Sequence, residues 1–322
     1  MNPLQNAAGI AHRINRRLER LIPITTPFGI IIGFLLPAFF IQFRPAIPWL
    51  FGMMTFSGAL KLRVAELGAA VRSPVPILLV FVTSHVIMPL SAMLLSSLIF
   101  PEIDVVTGFV LLFAGPTAVS GFVWVLIFRG DKALGLTLML LDTILAPLVV
   151  PYTLSILLGE TITMDMTGIA LSLMMMVVIP TIVGVAVNEV SKGKIPSHVS
   201  PYFDPISKLC LIIVIAANAS TIAPKIRFSD PLVWQAAVVC VLLTFAGFFL
   251  IKLVSVLGKC GKDKGISMVF AGGLRNNSAV MTIAVAFFPE AAVLPTLTSI
   301  VFQHSIAAIM GKALAGEKKD TT

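Results

Sequence analysis

The sequence predicts an all-α polytopic membrane protein of ten transmembrane helices, built as two inverted five-helix repeats with helices four and nine broken. Three observations predict it. The 322 residues are 57% apolar and 12% charged, with a mean hydropathy of +1.01, where ordinary soluble domains are about 25% charged. The apolar residues fall in runs of roughly 20, enough to cross a hydrocarbon core of about 30 Å. Lysine and arginine collect on alternate connections, and the same Phe-Ala-Gly recurs in the middle of the fourth and ninth runs.

Each run has a visible start or stop. The first, 21–42, follows the basic stretch HRINRRLER (His12 to Arg20) and ends in large residues, Phe39-Phe40-Ile41. A cleaved signal peptide has a shorter apolar region and a small-residue cleavage site, so these arginines read as a topological anchor. The second, 46–65, is closed by Lys61 and Arg63, and the third, 75–100, by Pro101-Glu102. The fourth, 105–128, is interrupted at Gly115-Pro116, and the fifth, 132–158, carries Asp142. The sixth, 167–188, contains Met174-Met175-Met176, which reads as packing or lipid-facing filler. The seventh, 205–223, begins after Pro201; the eighth, 231–257, opens at Asp230-Pro231. The ninth, 265–288, is loosened at Gly272-Gly273 and carries Arg275; the tenth, 291–315, follows Pro289-Glu290.

With the N-terminus inside, eighteen of the 23 Lys and Arg residues fall on cytoplasmic segments. Only Arg44, Lys225 and Arg227 fall outside, while Lys208 and Arg275 lie within spans. By the positive-inside rule both termini are cytoplasmic, in the plasma or bacterial inner membrane. Five spans per half make the halves, 21–158 and 167–315, inverted with respect to each other, a recurring design of secondary transporters. A three-residue match in apolar sequence also arises by chance; its position in the same span of each half favours a repeat.

Charge inside a span is where function is sought, because a buried ion costs at least about 2.5 kcal/mol to insert. Asp142 and Arg275 each lie about 15 Å from the cytoplasmic end of their spans, at 1.5 Å per residue. They could form a switch, with Arg275 gripping a substrate carboxylate, or a permanent ion pair. Pro116, Thr117, Ser120 and Gly121 follow one helix break, and Gly273, Asn276, Asn277 and Ser278 surround the other. Polar groups at broken helices suit a small anionic ligand; interhelical hydrogen bonding is the plainer use. Ser84 and His85 sit mid-span, as does Gln303-His304, and His85 is either a packed residue or a proton relay.

Other classes fit poorly. The net charge of +8 is explained by topology and points to no nucleic acid. Cys210, Cys240 and Cys260 show neither metal-ligand spacing nor a pairing pattern. No His-Glu-x-x-His, phosphate-cradling loop or nucleophile elbow is present, and Asp142 has no second intramembrane acid for a protease. No enzyme activity and no cofactor are expected.

Four segments resemble the bile acid:sodium symporter family over essentially the whole chain: Ile87-Met88-Pro89-Leu90, Gly115 to Ser120, Arg129-Gly130-Asp131 through Pro147, and Gly273-Leu274-Arg275-Asn276. The resemblance implies a panel of helices one, two, six and seven and a core of three to five and eight to ten. The broken helices cross at the centre of the core, and organic anions move with sodium. The departures fall on the family's sodium positions. Its glutamine before the Ile-Met-Pro-Leu motif is Ser84, its ninth-helix glutamate is Ala271 and its glutamine there is Arg275. Its Ser-Asn pair is Ser120-Gly121, and a hydroxyl of its fifth helix is Asp142. A guanidinium cannot ligate sodium, and two unit charges about 4 Å apart repel by about 4 kcal/mol at an effective dielectric near 20. The second sodium site is therefore expected to be absent, with Arg275 standing in for the cation. No metal ligand is assigned; were a sodium site to survive, Ser120 and Asp142 would hold it.

The expectation is a secondary transporter of small organic anions, in contact with the lipid bilayer, working by alternating access. Its rivals are a sodium-independent or proton-coupled carrier using Asp142 and Arg275, and a membrane sensor that does not transport. Oligomeric state is not legible in the sequence.

Overall fold

A computed structural model describes residues 27–62, 74–159, 162, 164–224, 227 and 229–316. The basic N-terminal stretch, the start of the first run, Arg63, Arg72, Lys225, Lys318 and Lys319 lie outside them. Every regular element among the described residues is helical. In chain order these are α1 (Pro27–Leu35), α2 (Pro37–Ala59), α3 (Pro74–Ile99), α4 (Ile103–Ala114), α5 (Val119–Ile127) and α6 (Lys132–Leu158). Then follow α7 (Met166–Val190), α8 (Lys194–Ile222), α9 (Pro231–Leu257), α10 (Lys262–Gly273), α11 (Asn277–Phe287) and α12 (Leu294–Gly316).

Six segments are long and apolar enough to cross a membrane alone: α3, α6, α7, α9, Tyr202–Ile222 of α8, and Glu290–Leu314 around α12. They coincide with expected spans three, five, six, eight, seven and ten. The protein is therefore a multi-pass membrane protein. Spans four and nine are each two short helices, α4 with α5 and α10 with α11. Spans one and two depart from expectation. The sequence places their boundary at Arg44-Pro45, yet residues Ile41–Ala46 form a 3-10 turn that runs on into the next helix. The chain instead bends by 101° between α1 and α2, and only taken together are the two long and apolar enough to cross a membrane. Proline explains the shift: Pro37 lacks an N–H, and the residue before it, Leu36, is pushed out of the helical region to φ −125°, ψ 53°.

The chain divides into two compact units, 1–64 with 172–225, and 65–171 with 226–322. In the first, α2 packs on α7 and α8 through small residues, a usual device where apolar lipid gives helices little hydrophobic reason to associate. A Cβ on Gly184 would come within 2.7 Å of the Ala59 Cβ, so α7 lies against α2 at backbone distance. Asn188 donates to the Leu62 carbonyl at 2.8 Å, and Lys61 pairs with Asp204 at 2.7 Å. In the second unit, α10 is covered by α9, α6, α5 and α3, and Phe270 is fully buried beneath Trp124, Phe128 and Phe248.

Candidate functional site

The second unit is centred on two helix breaks. α4 stops at Ala114 because Pro116 holds the residue before it extended, Gly115 at φ −57°, ψ 157°. α10 stops at its paired glycines, and Leu274 is extended at φ −102°, ψ 117°. The two exposed backbones then satisfy each other, as backbone at membrane depth must. Ala118 N–H donates to the Leu274 carbonyl at 3.0 Å, and Asn276 N–H to the Pro116 carbonyl at 2.7 Å. Thr117 and Arg275 form the antiparallel bridge between these bonds. α5 and α11 start immediately beyond, and the Asn276 side chain caps α11 by accepting from Ala279 N–H at 3.2 Å.

Side chains clamp each break. Gln303 on α12 holds the Arg275 peptide from both sides, accepting its N–H at 2.9 Å and donating to its carbonyl at 2.9 Å. Asp142 on α6 accepts the Thr117 N–H, and the Thr117 hydroxyl donates to the Ala271 carbonyl at 2.7 Å. Gln303 is the residue of this cluster that sequence reasoning passed over as merely mid-span. Its signal was available, since an amide in an apolar helix needs partners. Gln303→Leu is expected to leave the buried Arg275 N–H unpaired, while the Arg275 carbonyl keeps the Asn277 N–H at 2.9 Å, and to cost about 1–3 kcal/mol. Unfolding of the purified protein in detergent checks it, with Gln303→Glu, which keeps only the acceptor, falling between.

Arg275 is 4% exposed, and its guanidinium donates to two main-chain carbonyls, Gly115 at 3.1 Å and Ser84 at 3.0 Å. Both carbonyls are free for local reasons. Gly115 follows the C-terminus of α4, where unpaired carbonyls carry partial negative charge. Ser84 lies in a π turn, Thr83–Ile87, in which Met88 N–H bonds the Thr83 carbonyl instead of that of Ser84. In that register the next donor to Ser84 would be Pro89, which has no N–H. Proline chemistry in α3 thus releases the oxygen that Arg275 takes.

Depth along the spans paired Asp142 with Arg275; the structure gives Asp142 to another partner. His85 Nε2 lies 2.5 Å from Asp142 Oδ1, while Oδ2 takes Thr117 N–H, so each carboxylate oxygen faces a nitrogen. Neither the permanent ion pair nor the exchange of places between Asp142 and Arg275 is present as a direct contact. The other nitrogen of His85, Nδ1, is buried with no hydrogen-bond partner. The π turn explains why the sequence did not show this: it rotates His85 relative to a regular helix, and depth says nothing of rotation.

Of the remaining expected residues, Ser120 and Ser278 are half-buried in the first turns of α5 and α11. Asn277 is 7% exposed, and its Oδ1 has no partner. Gly121 and Gly273 act through closeness. A Cβ on Gly121 would sit 2.9 Å from the Phe270 carbonyl, and one on Gly273 2.6 Å from the Phe248 ring.

The sequence profile of the Sodium Bile acid symporter family matches residues 47–226. The chain belongs to that family. The family's members are transporters, not enzymes. Among similar proteins, the uncharacterized protein YbaS of Bacillus subtilis (strain 168) is 35% identical over 294 residues, covering 91% of this chain and 96% of the relative. The probable sodium/metabolite cotransporter BASS1, chloroplastic, of Arabidopsis thaliana is 26% identical, covering 94% and 74%. The uncharacterized sodium-dependent transporter YocS of Bacillus subtilis (strain 168) is 22% identical, covering 87% and 86%. Membership brings sodium as the coupling ion of the family and a small substrate.

Proposed function

We propose that this protein is a secondary transporter of small organic anions working by alternating access without sodium, with Arg275 in the place of a bound cation. The observation that carries the reading is the crossing itself. The N-termini of α5 and α11 both begin there, and helix N-termini present unpaired amides and partial positive charge to an anion. Thr117, Ser120, Asn276, Asn277 and Ser278 lie around those ends, while Pro116, Gly121 and Gly273 set the breaks and close packing that expose them. The unpartnered Asn277 Oδ1 is a polar atom for which a ligand could supply a donor.

Two features support the wider architecture. The compact units group expected helices one, two, six and seven apart from three to five and eight to ten, as panel and core require. The hydrogen bonds at the crossing have a two-fold pattern: each break donates one N–H to the other, and each is clamped by a residue of the last helix of its half, Asp142 or Gln303. This pattern sets Thr117 opposite Arg275, one residue out of step with the two Phe-Ala-Gly copies. Reading α1 and α2 as separate spans then yields ten, with both termini cytoplasmic in the plasma or inner membrane.

Relatives are named for sodium, yet the crossing suits sodium poorly. A guanidinium fills the space before two cation-attracting carbonyls, and both Asp142 oxygens are engaged by nitrogens, which leaves Ser120 without the partner expected of it. A tethered cation can neutralise charge but cannot couple, because coupling requires binding on one side and release on the other. The test is uptake into proteoliposomes of a panel of radiolabelled carboxylates (lactate, succinate, glutamate, taurocholate), with sodium or with choline in its place. Accumulation of a panel member above empty liposomes that survives choline supports the reading. Uptake lost in choline would return the site to sodium, and no uptake of any anion would favour the non-transporting sensor.

A further inference from the structure

We propose that the junction of α9 and α10 is a binding site for the headgroup phosphate of an anionic phospholipid. The inference rests on the multi-pass fold and is independent of the transport reading. Lys252, Lys259, Lys262 and Lys264 gather here, more than at any other connection among the described residues. The positive-inside rule asks for charge at this end of the spans, but it does not ask for a cavity. The first three of these lysines line one, of about 270 Å³. Its inner wall is Ser255 and Gly265, both buried. The two helices lie close there, since a Cβ on Gly265 would sit 3.2 Å from Ser255 Oγ. Its mouth is open, with Val256, Lys259, Gly261 and Lys262 exposed. Drug-sized ligands take pockets upward of about 300 Å³, so the space suits a headgroup and not a whole lipid. Three ammonium groups round one cavity repel each other, and an anion between them relieves that repulsion. Asp263, the acid in the first turn of α10, is not part of the lining.

The end of α9 explains how the lysines come together. Cys260 N–H donates to the Ser255 carbonyl and Lys259 N–H to the Val256 carbonyl, each at 3.0 Å, which is a Schellman motif. Its left-handed position, commonly glycine, is Lys259 at φ 50°. The chain reverses there, so Lys262 of α10 returns to the cavity that Lys252 of α9 already lines. Arg129 and Lys192 close α5 and α7 in the same way, so the motif by itself marks no site. The cavity sets Lys259 apart. A soluble phosphate carries the same charge as a headgroup, and the surface of α9 decides between them. Leu242, Phe249, Leu253, Val256 and Leu257 are exposed at helical spacing, an apolar stripe that runs down α9 to the cavity wall at Val256. Acyl chains laid along that stripe bring their own phosphate to the three lysines.

The experiment is native mass spectrometry of the full-length protein in detergent, titrated with phosphatidylglycerol or with phosphatidylcholine. Glycerol 3-phosphate is added as a soluble competitor. The wild type is expected to bind phosphatidylglycerol saturably, in preference to phosphatidylcholine, and to keep it against an equal concentration of glycerol 3-phosphate. Lys259→Gln and Lys262→Gln are each expected to weaken that binding about fivefold, equivalent to the about 1 kcal/mol a basic residue contributes near an anionic surface. Lys192→Gln removes the same charge from the same motif at the end of α7, where the residue is also exposed, and is expected to change nothing. Undiminished affinity in both cavity variants overturns the proposal. An equal loss in Lys192→Gln does so too, since it would mean attraction to net charge and not to a site. Displacement by glycerol 3-phosphate would give the cavity to soluble phosphates and overturn the lipid. A wild type that binds phosphatidylcholine as tightly as phosphatidylglycerol overturns it however the variants fold. A failed carboxylate panel sinks the transporter reading and leaves this measurement intact.

Discussion

Arg275→Gln is expected to make stability depend on sodium, where the wild type is expected to show no such dependence. In the wild type the guanidinium satisfies the Ser84 and Gly115 carbonyls, and hydrogen bonds to a charged group contribute about 1.5–3 kcal/mol each. Arg275→Ala removes both and is expected to cost about 3–5 kcal/mol. Arg275→Lys recovers only part, since one compact ammonium cannot reproduce a planar fork that reaches two separate oxygens. Glutamine is different, because it is neutral and offers an oxygen of its own. It leaves two main-chain carbonyls near an uncompensated Asp142, a set that attracts a small cation. Sodium bound there at about 100 times its Kd would add about 2.7 kcal/mol. Thermal unfolding in detergent, in sodium chloride against choline chloride of equal ionic strength, reads it directly. Equal midpoints for Arg275→Gln in the two salts would mean that the carbonyls are not a cation cradle.

How much of this was legible follows from what each signal measures. Hydropathy integrates over a whole span, so the six unbroken spans were readable from composition alone. The breaks were readable too, because Gly115-Pro116 and Gly272-Gly273 act on the backbone of their own neighbours. The bend at Leu36 was missed because a charged residue nearby, Arg44, looked like a loop, whereas Pro37 is what interrupts the helix. Depth correctly singled out Asp142 and Arg275 as buried charges, and both are. It named the wrong partner, since partners depend on rotation about each helix, which Pro89 and the π turn set in α3. Gln303 drew little notice because an uncharged amide costs less to bury than an ion, yet it holds the Arg275 peptide from both sides.

One consequence of that geometry separates two accounts of why the buried charges are tolerated. Asp142 and Arg275 do not touch, so each could be stabilised by its own hydrogen bonds alone, or the two could need each other at longer range. Asp142→Ala removes the acceptor of Thr117 N–H and of His85 and leaves Arg275 uncompensated; a cost of about 3–5 kcal/mol is expected. Asp142→Asn keeps the shape and one acceptor but turns an amide N–H toward the second donor, costing about 1–3 kcal/mol. The deciding measurement is the double-mutant cycle of Asp142→Ala with Arg275→Ala. Residues in one electrostatic network couple by about 0.5–3 kcal/mol, and here the double variant should be less destabilised than the sum of the singles. Strict additivity would mean that the neutrality of the crossing is incidental, each buried charge being held by its own hydrogen bonds.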